Sequence, residues 1–231
     1  MMNGSGMVLA TAGAFVGTHF ALSHPLRRPL VAVLGEKAFS GLYSLVAIVT
    51  LGATIWAYRT APMTEPAWAV GDGLWTIATV AMLIASILLM GSLVRNPALP
   101  GAAKQATTAQ AVGVYAVTRH PMLWSFAIWG VSHILVLPVA KNIVLSGAII
   151  FLSLVGAALQ DRKKAQLDPQ GWTAWQRRTS YLPFVAIAEG RTRFGGFGLH
   201  ALLGGFFVWL AATWAHIPFA GWPAGIWRWL A

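Results

Sequence analysis

Six long apolar segments constrain this sequence more than any other feature. They lie at about residues 6–24, 39–58, 73–94, 121–139, 142–160 and 199–216. At ~1.5 Å per residue, each segment is long enough, as an α-helix, to cross a hydrocarbon core ~30 Å thick. Membrane β-strands are ~10-residue alternating segments, which these are not. The sequence therefore predicts an all-α, polytopic membrane protein with about six transmembrane helices.

The composition supports the bilayer as the solvent. Of the 231 residues, 57% are hydrophobic and 10% are charged, whereas a soluble domain carries roughly 25% charged residues. The net charge of +10 could indicate nucleic acid, but the basic residues lie between apolar segments, as the loop charges of membrane proteins do. We therefore expect no nucleic-acid partner. The absence of cysteine excludes disulfides, thiolate metal sites and Cys nucleophiles.

The Lys and Arg residues predict the orientation. Three alternate loops carry 13 of them, and only Arg59, Lys141 and Arg228 fall on the opposite side. The positive-inside rule then places these three loops in the cytoplasm and both termini outside, in a multi-pass membrane protein. The 13 are Arg27, Arg28, Lys37, Arg95, Lys104, Arg119, Arg162, Lys163, Lys164, Arg177, Arg178, Arg191 and Arg193.

We predict one transmembrane domain over residues 1–231, with a cytoplasmic interfacial segment at 161–198. Its stretch QGWTAWQRRTSYLPF mixes Trp, Tyr and Arg, as interfacial helices do. Trp172, Trp175 and Tyr181 would be its anchors at the membrane surface. Residues 95–118 are mildly apolar, which predicts that they lie along the interface or re-enter the membrane.

Two histidines lie well inside the predicted spans, His19 in the first and His133 in the fourth. Ionisable side chains there are costly, so they indicate function, although a neutral imidazole bonded to a serine or carbonyl is the structural alternative. At helical spacing, Ser125, Trp129 and Ser132 share a side with His133 and predict a polar face toward the interior. The other four histidines lie at or beside span ends, where an imidazole costs little: His24, His120, His200 and His216.

Two neutral imidazoles on different helices, in an aromatic-rich apolar pocket, suit haem. Haem iron accepts axial histidine nitrogens, and its macrocycle prefers dry apolar walls. Zinc is less favoured, because a closed zinc site needs four ligands and the spans carry no acidic or thiolate ligand. In the first span, GAFVG (13–17) is a GxxxG pattern, which permits close contact with a neighbouring helix.

Three stretches carry a family resemblance: HFALSHPLRRPLVAVLGEKAFSGLYSLVA, RHPMLWSFAIWGVSH and LPFVAIAEGR. Together they resemble the NnrU family, which is related to the 15-cis-zeta-carotene isomerases, over about residues 6–191. The resemblance implies a polytopic protein of the bacterial inner (cell) membrane, linked by name to nitrogen-oxide metabolism and denitrification. In the isomerase branch it implies haem b, whose reduced iron supports turning a central cis double bond of a polyene to trans.

Position by position, the resemblance makes His19 and His133 the axial ligands of the haem iron, and His120 the matching motif histidine. With Arg119, His120 would contact substrate or a lipid headgroup. The helical register leaves a rival open. His19 lies 8 residues from Arg27 and His133 lies 14 from Arg119, which correspond to depths of roughly 12 and 21 Å, so His120 is the alternative second ligand.

A second resemblance, to isoprenylcysteine-type membrane methyltransferases, rests on RHP (119–121), QD (160–161) and GWTAW (171–175). The first position of the acidic pair is Gln160, and Ser125-Phe126 stand where that family has a glycine. The sequence thus leaves three hypotheses. They are a haem-dependent isomerase or redox protein for an apolar membrane substrate, a methyltransferase using S-adenosylmethionine on a lipid-like substrate, and a non-enzymatic haem sensor or accessory protein.

Overall fold

A computed structural model of the protein describes residues 4–98 and 110–230. In those residues the regular structure is helical, with no strand, which confirms the all-α prediction. The helices are α1 (Gly4–Ser23), α2 (Arg27–Thr60), α3 (Asp72–Ser92), α4 (Val114–Val117), α5 (Pro121–Val136), α6 (Ala140–Leu167), α7 (Pro169–Arg178), α8 (Val185–Ala188), α9 (Leu199–Ala220) and α10 (Trp227–Leu230).

Among the described helices, five are long and apolar enough to cross a membrane, namely α1, α2, α3, α6 and α9. The fourth predicted span, 121–139, is the shorter apolar helix α5 of 16 residues. Its length is about 24 Å at 1.5 Å per residue. It ends before Pro138, because proline lacks an N–H and disfavours helical backbone at the preceding residue. The polytopic architecture is confirmed, and the sixth crossing depends on this shorter helix.

The second span begins earlier than its apolar segment indicates. Helix α2 starts at Arg27 and is interrupted at Gly35, whose φ of 75° and ψ of 162° are not helical. Across the interruption, the Arg27 guanidinium lies 3.0 Å from the Glu36 carboxylate and 5.4 Å from the centroid of the Phe39 ring. Part of the loop predicted between the first two spans is therefore a short helix, which glycine separates from the long one.

The chain divides into two compact units. The first comprises Met1–Val70 and His133–Leu152, and the second comprises Gly71–Ser132 and Ser153–Ala231. The chain passes from one unit to the other within α5 and within α6.

In the first unit α1 packs against α2. Val8 and Ala57 are fully buried at this contact, with Ala61 beside them. Lys141 is also buried, and its ammonium donates to the Ala61 carbonyl at 2.8 Å and lies 5.0 Å from the centroid of the Tyr58 ring. The lysine thus satisfies a carbonyl at the end of α2 that has no partner within the helix.

In the second unit α3 packs against α9 at very short range. A β-carbon added at Gly205 of α9 would lie 2.6 Å from the Ile87 α-carbon of α3, and one added at Gly91 of α3 would lie 3.1 Å from the Ala201 β-carbon of α9. Small residues of this kind let helix backbones approach closely where lipid gives no hydrophobic driving force between helices.

The close contact that the GAFVG pattern permits is not made between α1 and the other described residues. Gly13 and Gly17 are exposed, and a β-carbon added at either would meet nothing within 4 Å among the described residues. Val8, Ala12 and Val16 form the buried face of α1 instead. The pattern permitted a contact that this chain makes with larger residues.

The start of the 161–198 segment continues α6, which extends to Leu167. Asp168 then begins α7 by accepting a hydrogen bond from the Gly171 N–H at 3.0 Å. Trp172 and Trp175 are 1% and 0% exposed, so the structure places both predicted surface anchors in the protein core. The cytoplasmic position of the segment stays a prediction. Of the predicted interfacial stretch 95–118, residues 99–109 lie outside the described residues.

Replacing Gly205 with alanine is expected to destabilise the protein, because the new methyl group would press on the Ile87 backbone. Overpacking of this kind costs about 1 to 3 kcal/mol. Gly17→Ala is the matched control, since it places the same methyl group in open space. Because alanine favours a helix by about 1 kcal/mol over glycine, this control is expected not to lower the unfolding midpoint. Thermal unfolding in detergent micelles measures both variants, and equal midpoints would contradict the close packing.

Reporter fusions will test the topology. Fusions after Glu65 and after Val139 are expected to report the outside, and a fusion after Glu189 the cytoplasm, given the distribution of Lys and Arg. The Val139 fusion is decisive for α5. If α5 did not cross, the Val139 fusion would report the cytoplasm and the Glu189 fusion the outside.

Candidate functional site

The four candidate site residues fall into two groups. His19 and His133 both belong to the first unit, whereas Arg119 and His120 belong to the second. His19 lies on α1 and His133 near the end of α5, whereas Arg119 and His120 lie just before the start of α5.

His19 lies on α1 with one ring nitrogen engaged. Its Nδ1 is 2.9 Å from the carbonyl oxygen of Phe15, one helical turn earlier. A carbonyl can only accept, so Nδ1 carries the hydrogen and Nε2 has the lone pair that binds metals. The half-buried ring lies 4.3 Å from the Phe15 ring and 5.4 Å from the Tyr43 ring, measured between centroids. This neutral imidazole with apolar neighbours fits an axial ligand of haem.

His133 is half-buried in the last turn of α5. The buried side chain of Asn142 donates to the main-chain carbonyls of His133 at 2.9 Å and Leu137 at 2.7 Å. Asn142 therefore fixes the backbone that carries His133. The hydroxyl of Ser132, a candidate partner for the His133 ring, is buried and has no hydrogen-bond partner among the described residues, so Ser132 does not orient the ring.

Arg119 and His120 both bind one carboxylate, that of Asp161 on α6. The Arg119 guanidinium reaches both Asp161 oxygens, because Nε lies 3.0 Å from Oδ1 and 2.8 Å from Oδ2. A terminal guanidinium nitrogen lies 2.6 Å from Oδ2. His120 Nε2 lies 2.8 Å from Asp161 Oδ1. The side chains are nearly inaccessible, with 11% of Arg119, 11% of Asp161 and none of His120 exposed. The result is a buried ion pair that also holds a histidine.

The backbone before α5 positions this group. The Arg119 N–H donates to the Ser180 carbonyl at 2.9 Å, and the Thr118 hydroxyl donates to the Tyr181 carbonyl at 2.8 Å. Thr118 is extended, and Pro121 then begins α5, where its missing N–H costs nothing. Residues 118–120 are thereby tied to 180–181.

Aromatic side chains enclose His120. The Tyr181 ring lies 5.9 Å from the His120 ring and the Trp172 ring lies 6.5 Å from it, between centroids. The Tyr181 hydroxyl donates to the Leu154 carbonyl at 2.6 Å. Burial, and then the negative charge of Asp161, raise the pKa of Tyr181, so this phenol stays protonated at neutral pH.

Sequence reasoning missed Asp161 and Asn142 as structural partners. The chain has only six acidic residues, so an acid close to a predicted span end was a signal, but its partners lie about 40 residues earlier. Nothing in the sequence pattern indicates Asn142.

Among residues 4–98 and 110–230, no group of three or more His, Asp or Glu side chains could hold a metal, whereas a closed zinc site needs four ligands.

A family model described as "NnrU protein" matches residues 7–224 of the chain. The chain belongs to the NnrU family. The resemblance seen in the RHPMLW stretch and its flanks is thus confirmed over most of the sequence.

Two curated proteins are relatives of this NnrU-family chain, and both are named "15-cis-zeta-carotene isomerase, chloroplastic". The Zea mays protein is 31% identical over 81 residues, which is 35% of this chain and 22% of the relative. The Arabidopsis thaliana protein is 25% identical over 172 residues, which is 69% of this chain and 44% of the relative. The chain therefore spans less than half the length of these relatives. No solved structure matches it.

The family match and the long apolar helices support a multi-pass membrane protein. The relatives are chloroplastic, so the bacterial cell membrane stays a prediction. The links to denitrification and to haem, and the roles of Arg119 and His120, also stay predictions.

Proposed function

We propose that this NnrU-family protein binds haem b through His19 and His133 and isomerises a cis double bond of an apolar polyene dissolved in the membrane. The relatives named as zeta-carotene isomerases support the reaction class. The apolar helices, which belong in a bilayer, support a substrate that the bilayer dissolves.

One observation carries the ligand assignment. His19 Nδ1 is engaged with the Phe15 carbonyl at 2.9 Å, so the ring is held in the tautomer that leaves Nε2 for a metal. His133 is the second ligand in this proposal, because it belongs to the same unit as His19. When bound there, haem would be held by His19 and His133 and would supply a redox-active iron.

Neighbouring groups of this protein would orient the two histidines and limit the contact of His19 with water. The backbone of His133 is fixed by Asn142, while the Phe15 carbonyl fixes the orientation of the His19 ring. The rings of Phe15 and Tyr43 cover His19 with apolar surface and limit the access of water. A long apolar substrate needs such walls more than it needs hydrogen-bonding groups.

The test begins with the visible absorption spectrum of the protein purified in mild detergent. A Soret band that sharpens on reduction is expected. The reduced protein is then incubated in darkness with a 15-cis polyene, and chromatography is expected to show conversion to the trans isomer.

Three other results would redirect the assignment. A haem spectrum without isomerisation would favour a sensor or accessory protein. A colourless protein that binds S-adenosylmethionine would favour the methyltransferase hypothesis. A colourless protein that still isomerises the polyene would remove haem from the proposal and leave the reaction.

A further inference from the structure

Two polar atoms in neighbouring buried rings of the second unit have no hydrogen-bond partner among the residues that the structure describes. They are Nδ1 of His120 and Nε1 of Trp172, in residues that are 2% and 1% exposed. The ring centroids are 6.5 Å apart. Buried polar atoms without a partner are rare in native proteins and call for a specific explanation.

The two atoms differ in hydrogen-bonding character. Arg119 binds both oxygens of Asp161, which holds this carboxylate ionised and leaves it able only to accept. His120 Nε2, 2.8 Å from Asp161 Oδ1, must therefore carry a hydrogen and donate it. In the neutral ring, Nδ1 is then an acceptor, whereas the indole N–H of Trp172 can only donate.

A group that satisfies both atoms must donate one hydrogen and accept another. A hydroxyl group does so with a single oxygen. A carboxylate offers His120 no hydrogen, and an ammonium offers Trp172 no lone pair. Trp175 follows three residues later on α7, is fully buried and has an equally unpartnered indole N–H. Its ring packs against the Tyr115 ring, with 5.9 Å between centroids.

We propose that His120 and Trp172 form a hydroxyl-binding site, separate from the histidine pair of the first unit. The hydroxyl oxygen accepts from the Trp172 N–H and its hydrogen is donated to His120 Nδ1, while Asp161 sets the tautomer of His120. The hydroxyl belongs either to a buried water molecule or to a hydroxylated lipid. The site stands on residues of α6 and α7 and on the turn before α5, so it holds whether or not haem binds.

The test is nuclear magnetic resonance of the full chain in detergent micelles, with ¹⁵N-labelled tryptophan and histidine. For buried water, the Trp172 indole N–H is expected to show a direct cross-peak to water. For a lipid, the Trp172 signal is expected to shift on titration with monoolein, which carries hydroxyls, but not with methyl oleate, which carries none. Trp227 on α10, whose indole N–H donates to the Leu210 carbonyl at 3.3 Å, serves as an internal reference that monoolein leaves unchanged.

Two variants separate a ligand site from a packing role. His120→Gln keeps a donor for Asp161 near the position of Nε2 but has no acceptor at the position of Nδ1. Trp172→Phe keeps an aromatic ring but has no N–H. His120→Gln is expected to unfold close to the wild-type midpoint yet to lose the water cross-peak, or to bind monoolein about tenfold more weakly. Trp172→Phe has no indole N–H to observe, so its readout is the ¹⁵N-labelled His120 signal. The shift of that signal on titration with monoolein is expected to be smaller than in the wild-type protein.

The wild-type spectra decide the question even if both variants fail to fold. A Trp172 signal with neither a water cross-peak nor a response to monoolein would overturn the site. A monoolein response that persists unchanged in His120→Gln would also overturn it, because the lipid would then bind without the acceptor on which the proposal depends.

Discussion

Replacing His19 or His133 with alanine is expected to remove haem from the purified protein. Each imidazole would supply one axial nitrogen, and alanine offers none. Loss of a partner outside the ligand shell already weakens metal binding about 10- to 100-fold, so loss of a ligand should cost at least that. The measurement is haem per protein, from the Soret band and the pyridine haemochrome of each variant.

The control variants are chosen among the remaining histidines. His200 is exposed, and His216 Nδ1 donates to the Ala212 carbonyl on its own helix α9 at 2.8 Å. Alanine at either position is expected to leave haem unchanged. His120→Ala is expected to keep haem and to lose isomerisation. If haem were lost only in His120→Ala, His120 would be the ligand in place of His133, and full haem in a His19→Ala, His133→Ala double variant would refute the ligand pair.

Replacing Asp161 with asparagine is expected to be among the most destabilising single changes in the chain. It leaves the Arg119 guanidinium, whose side chain is 11% exposed, without its negative partner. It also leaves His120 Nε2 without its ionised acceptor. Breaking a buried pair by removing one member costs about 3 to 5 kcal/mol. The measurement is the free energy of unfolding in detergent micelles.

Glu36→Gln is the matched control for Asp161→Asn. Both changes turn a carboxylate into an amide and break an ion pair with arginine, but the Glu36 side chain is 62% exposed. Water and salt screen such a pair, so its loss is expected to cost less than about 1 kcal/mol. Equal losses in the two variants would mean that the Asp161 pair is not buried in the folded protein.

The sequence alone predicted the helical membrane architecture and the positions of the long helices. It could do so because a hydrocarbon core imposes a local requirement. Every backbone polar group must be satisfied within the segment, and about 20 apolar residues must follow one another. It also identified His19 and His133 as exceptional, since an imidazole inside a span stands out in the sequence itself. The end of α5 depends on one residue, Pro138. The apolar pattern extended this span to residue 139, whereas the helix ends at Val136.

Only the tertiary structure decided what surrounds the polar residues. Asp161 is 42 residues from Arg119 and 41 from His120 along the chain, and no periodicity relates positions so far apart. Trp172 and Trp175 resembled interfacial anchors by composition, yet they are buried, because the same aromatic side chain suits a membrane surface and a protein core. Local patterns specify which segments become helices, whereas pairing between helices depends on how their side chains pack once the chain has folded.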